Sequence, residues 1–105
     1  MFLWFMVNDP TTKRLLWFLF AGSKGGLTRL KIINTIKKTP LNTNQLSKGL
    51  GLDYKAIQHH LKVLEKNNMT AKMGEKYGIT YFISPFLEAN MESFEEIEQK
   101  LDKSK

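Results

Sequence analysis

The sequence predicts a mostly α-helical domain with one small β-hairpin, and three observations carry that prediction. Apolar residues recur at helical spacing in residues 54–64 and again in residues 87–101. Capping residues and prolines stand ahead of each helical stretch. Strand-like alternation occurs once, at Ile79, Tyr81 and Ile83, after a glycine-flanked GEKYG turn. At 105 residues, 42% hydrophobic and 25% charged, the chain reads as a single domain over residues 1–105 with one core.

The elements follow in order. Asp9-Pro10 reads as an N-cap followed by proline at the first helical position, opening an N-terminal helix over residues 9–21 that stops at Gly22. Residues 15–20 are apolar on every side, so this helix calls for cover on more than one face. SKGG serves as linker, and Thr28 caps a second helix whose stripe is Leu30, Ile33 and Ile36, flanked by Ile32. Lys37-Lys38 suit its C-terminal end, and Pro40 prevents continuation. Asn42 and Gln45 form a capping-box pattern for a short third helix, which ends in the Gly49-Leu-Gly51-Leu turn. Asp53 caps a fourth helix over residues 54–66, with Tyr54, Ile57, Leu61 and Leu64 as its inward stripe and Asn67-Asn68 as a left-handed C-terminal cap. The hairpin occupies residues 69–84. Pro85 then opens an acidic helix over residues 85–103 with Leu87, Met91, Phe94, Ile97 and Leu101 on one face.

Charge is unevenly placed along these elements. The net charge is +6, and residues 28–84 carry ten of the sixteen Lys/Arg but three of the ten acidic residues. Such a balance favours a polyanionic partner, nucleic acid before membrane. Absence of cysteine excludes disulfides, thiolate metal sites and a cysteine nucleophile, and fits a reducing cytoplasmic setting. His59 and His60 are adjacent, diverge by about 100° on a helix and cannot chelate one metal from it. No nucleophile–base pair or paired carboxylates fall at meaningful spacing in residues 28–84, so neither an enzyme nor a bound cofactor or metal is expected.

A helix, a short capped helix, a glycine-bearing turn, a longer helix with a basic outer face and then a hairpin make a winged helix-turn-helix, here with extra N-terminal and C-terminal helices. The major groove of DNA admits one α-helix whose outward side chains reach base edges. Setting Ile57 at zero on the helical wheel, Gln58, Lys62, Lys55, Lys66 and His59 fall between about 100° and 200°, opposite the apolar stripe. Glutamine can pair with adenine, and lysine can contact guanine or phosphate. His60 sits at the edge of the stripe, where a partly buried histidine bonded to nearby backbone is expected rather than a DNA contact.

Residues 50–68, LGLDYKAIQHHLKVLEKNN, resemble the recognition segment of ArsR-like winged-helix repressors, with their His-Leu-x-x-Leu pattern. Residues 15–84, including the KYGITYFIS wing, look like a group of archaeal winged-helix transcriptional regulators. The resemblance implies sequence-specific binding of double-stranded DNA by a homodimer. Carried over by position, it implies base contacts from Tyr54, Lys55, Gln58 and His59, with Lys62 nearby, and wing contacts to backbone or minor groove from Lys72, Lys76 and Tyr77. Metal-sensing members use cysteines, which this chain lacks, so metal sensing of that type is not implied.

The N-terminal helix and the stripe of the C-terminal helix offer surface for the dimer. Six of the twelve aromatic residues lie in the first twenty, a density that calls for burial in the fold, in a dimer or on a membrane. Residues 1–7 and 15–21 are apolar runs of seven, short of the ~20 that a span requires, so no transmembrane helix is expected. Two alternatives to the regulator remain open at this point: a winged-helix protein-docking module, and a peripheral membrane protein anchored by residues 1–20.

Overall fold

In the computed structural model, which describes residues 9–76 and 78–103, six helices and one hairpin enclose a single core. They are α1 (Pro10–Phe20), α2 (Gly26–Lys38), α3 (Thr43–Leu50), α4 (Tyr54–Lys66), β1 (Thr70–Met73), β2 (Thr80–Ile83), α5 (Pro85–Ala89) and α6 (Met91–Lys103). The expected apolar run at residues 1–7 lies outside the described residues. Among the described residues no helix is long and apolar enough to cross a membrane.

Local chemistry sets most helix starts where expected. The Asp9 carboxylate accepts from Thr11 N–H ahead of Pro10, and Asn42 and Gln45 close a reciprocal capping box. Asp53 accepts from the Lys55 and Ala56 amides. α2 differs: it starts at Gly26 rather than after Thr28, behind Gly25 at φ 86° and with no side-chain cap. A side chain on Gly26 would stand 2.8 Å from the Phe20 carbonyl oxygen, so glycine lets α2 begin directly against the end of α1. The C-terminal helix also differs, because it is broken at Asn90. The Asn90 amide bonds back to Leu87 O, its side chain donates to Phe86 O at 2.9 Å, and α6 restarts beyond it.

The core gathers Leu16, Leu19 and Phe20 of α1, Ile32, Ile33 and Ile36 of α2, and Ile57, Leu61 and Leu64 of α4, all at most 2% exposed. Leu87, Phe94 and Ile97 close it, with the Phe94 ring edge-on to Phe20 at 5.0 Å between centroids. Leu87, Phe94 and Ile97 of the C-terminal stripe thus pack within their own domain. α1 is covered less than its apolar sequence asks, since Trp17 is 45% and Phe18 58% exposed. β1 and β2 pair antiparallel from Thr70–Ile83 to Met73–Thr80, and a single bridge joins Leu41, just before α3, to Tyr81. This bridge fixes the hairpin beside the helix-turn-helix.

Candidate nucleic-acid interface

α4 is rigidly seated. Asp53 satisfies its first amides, and Ile57, Leu61 and Leu64 anchor one face in the core. The opposite face presents Lys55, Gln58, His59, Lys62 and Lys66, all exposed. Among the described residues, Lys55, Gln58 and Lys62 make no side-chain hydrogen bond or ion pair, so their polar ends are available to an external partner. Tyr54, counted in the sequence as part of the inward stripe, is instead 46% exposed. It stands at the first turn of α4, where the helix projects past the core.

Tyr54 and Gln58 line a cleft of about 250 Å³ with Asn42, Thr43, Asn44, Lys76, Ile79 and Tyr81. The cleft joins three predicted contact residues, Tyr54, Gln58 and Lys76, at the meeting of α4, the start of α3 and the hairpin. The sequence reading missed Asn42, Thr43, Asn44, Ile79 and Tyr81 as members, because only the Leu41–Tyr81 bridge brings the hairpin beside the start of α3. The amides of the first turn of α3 and the Lys76 ammonium make this concavity favourable to anions.

The remaining predicted wing residues are placed differently. Lys76, at the tip, is exposed and holds a left-handed φ of 47°. Lys72 is engaged by Glu65 of α4 at 3.3 Å, and contact with a phosphate would exchange that partner. Tyr77 lies outside the described residues.

Behind the exposed face, His60 meets a side chain rather than the backbone partner expected of it. Its Nδ1 lies 3.4 Å from a terminal guanidinium nitrogen of Arg29, which is 5% exposed. The Arg29 Nε donates to Leu19 O at 2.8 Å, and its other terminal nitrogen donates to Ser23 Oγ at 2.6 Å. Ser23 in turn donates to Phe18 O at 2.7 Å. Burial pushes the His60 pKa below its usual value, and the neighbouring Arg29 and His59 lower it further. Desolvation likewise lowers that of Arg29. No local pattern signals this role for Arg29, since a lone arginine beside an apolar stripe reads as a surface residue.

A capped helix pair, a second helix with an apolar inner and basic outer face, and a hairpin tethered alongside decide the architecture. The fold is a winged helix-turn-helix. Residues 27–69, covering α2 to the end of α4, match the family described as bacterial regulatory protein, arsR family. No curated protein matches the chain significantly. Solved structures with a similar fold include reduced HlyU from Vibrio cholerae, 20% identical over 90% of this chain and 92% of that one, with a TM-score of 0.62. The transcriptional regulator HlyU from Vibrio vulnificus is similar at 19% identity over 97% of both chains, with a TM-score of 0.62. MepR from S. aureus, solved with ethidium bromide, is 16% identical over 99% of this chain and 81% of that one, at a TM-score of 0.52. The matched family is one of regulatory proteins, not enzymes.

Proposed function

We propose that this winged helix-turn-helix protein is a transcription regulator that binds double-stranded DNA sequence-specifically as a homodimer. The observation that carries the reading is the two-sidedness of α4. Its apolar face is fully buried, while Lys55, Gln58, His59 and Lys62 stand unscreened on the other. In this reading α4 is the recognition helix in the major groove, with Tyr54 at its entry. The hairpin lies along the backbone or minor groove, bringing Lys76, Tyr77 and, once released from Glu65, Lys72. The start of α3 closes over a phosphate beside Lys76. Such a protein acts where the DNA is, in the cytoplasm.

The dimer is assigned to the N-terminal and C-terminal helices. Trp17 and Phe18 project from α1, and Trp17 borders a hollow of about 100 Å³ with Lys13, Ser93, Glu96, Ile97 and Lys100, straddling α1 and α6. A second copy laid across this face would cover the aromatics, away from the basic surface of α4, and present two recognition helices to a two-fold site. Lys55→Ala together with Lys62→Ala tests the reading: the log–log salt slope of duplex binding should shrink by about 0.9 for each lost phosphate contact. An unchanged affinity and slope would place the DNA elsewhere.

A further inference from the structure

Among the described residues Arg29 is the one charged side chain that is buried, and no carboxylate faces it. Its partners are the Leu19 carbonyl in the last turn of α1, the Ser23 hydroxyl at the α1–α2 corner and one imidazole on α4. We propose that Arg29 is a positioning residue for the recognition helix, held to α4 through His60, and that this hold is released when His60 takes up a proton.

The geometry supports both halves. The carbonyls of Phe18 and Leu19 belong to the last turn of α1, where no further amide of the helix reaches them. Arg29 bonds one directly and the other through Ser23, so its guanidinium caps α1 and suits the negative end of that helix. With two directions of its fork fixed in this way, the third sets where His60 must lie. Glycine at position 25 makes the approach possible. A side chain there would come within 2.7 Å of His60 Cε1 and 3.2 Å of Arg29, and φ is already 86°. His60 stands in the middle of α4, next to His59 and two residues from both Gln58 and Lys62. A displacement at His60 therefore moves the whole outer face.

The bond from Arg29 needs a free electron pair on Nδ1, hence a neutral ring with its proton on Nε2. Protonated, both ring nitrogens are donors, and arginine offers no acceptor and stays charged. The groups recorded against His60 are Arg29 from α2 and His59 from its own helix, and both oppose a second charge. Ser23, the polar neighbour at the α1–α2 corner, is already committed to Arg29 and Phe18 O. Two cations in a half-buried site separate by moving His60, and with it α4.

The test rests in part on the DNA-binding reading, so it has one readout with DNA and one without. The probe is a duplex enriched from a random-sequence pool by the wild-type protein at about pH 7.5, compared with unselected duplex at about pH 7.5 and about pH 5.5. Taking the ratio of the two affinities removes the general gain that any new positive charge gives on DNA. The ratio should fall several-fold in acid, because specific binding then has to drive the proton off His60. His60→Asn keeps an acceptor near the Nδ1 position and does not titrate, so its ratio should stay level between the two pH values. A level wild-type ratio, or an equal fall in His60→Asn, overturns the proposal. Without DNA, the imidazole ¹⁵N signals of His60 should show an unprotonated Nδ1 at neutral pH, and amide exchange in α4 should quicken as that ring titrates. If no duplex binds at any pH, the regulator reading fails, and the ¹⁵N and exchange data still decide the clamp: an Nδ1 that carries the proton at neutral pH, or α4 exchange indifferent to the titration, would overturn it.

Discussion

Gln58 shows how a single residue can separate positioning from reading. It is exposed, unpaired among the described residues and set in the cleft beside Lys76. Its amide can make a bidentate contact to adenine, whereas the surrounding lysines act as charges on phosphate. Gln58→Ala should therefore weaken binding to a selected duplex by about 1–3 kcal/mol and leave random duplex nearly unaffected. Competition binding against both duplexes checks this. His60 supplies a second prediction at this scale. Its folded-state pKa lies below the unfolded value, so the contribution of its neutral form is present above about pH 6.5 and is lost as pH falls below that value. Chemical denaturation from about pH 7.5 down to about pH 5 should show stability falling, and the fall should be smaller in His60→Asn.

At the scale of elements, α4 depends on one cap and one buried stripe. Asp53→Ala should cost about 1 kcal/mol, since two first-turn amides lose their acceptor. Leu61→Ala should cost about 2–5 kcal/mol, because Leu61 is 1% exposed and its loss leaves a cavity in the core. Urea denaturation monitored by circular dichroism distinguishes the two magnitudes. These features were legible in the sequence because they are local. Asp53, Asn42 with Gln45, and Asp9 with Pro10 act over a few residues, and Ile57, Leu61 and Leu64 share one helical face. What was not legible depends on tertiary contact. Arg29 is buried because acceptors from α1, the α1–α2 corner and α4 converge on it, and those lie far apart in sequence. The start of α2 was misjudged because its cap is a glycine corner pressed on Phe20 rather than a side chain. The break at Asn90 was hidden by an apolar spacing that runs through it unbroken, from Leu87 and Met91 to Phe94. Five of the eight cleft residues were hidden as well, since the Leu41–Tyr81 bridge has no signature in the sequence around either residue.

At the scale of the molecule, charge and apolar surface are sorted to different faces. Basic residues concentrate in residues 28–84, while residues 85–103 hold six acidic residues against Lys100 and Lys103. Lys37 and Asn34 of α2 engage Glu95 and Glu98, so these acidic groups of α6 are tied to α2. The exposed Trp17 of α1 adjoins α6. Replacing Trp17 and Phe18 together by aspartate should convert a dimer to a monomer in sedimentation analysis, with the fold retained because both side chains are largely exposed. Binding to a two-fold site should weaken in parallel, as each monomer then holds one half-site.

Whether the basic outer face of this winged helix meets DNA is decided by fluorescence anisotropy of a random-sequence duplex at about 50 mM and about 200 mM salt, because release of counterions makes multi-phosphate binding steeply salt-dependent. Binding is expected at the lower salt, with an affinity about a thousandfold weaker at the higher. No binding at the lower salt, or binding indifferent to salt, would contradict the DNA-binding reading.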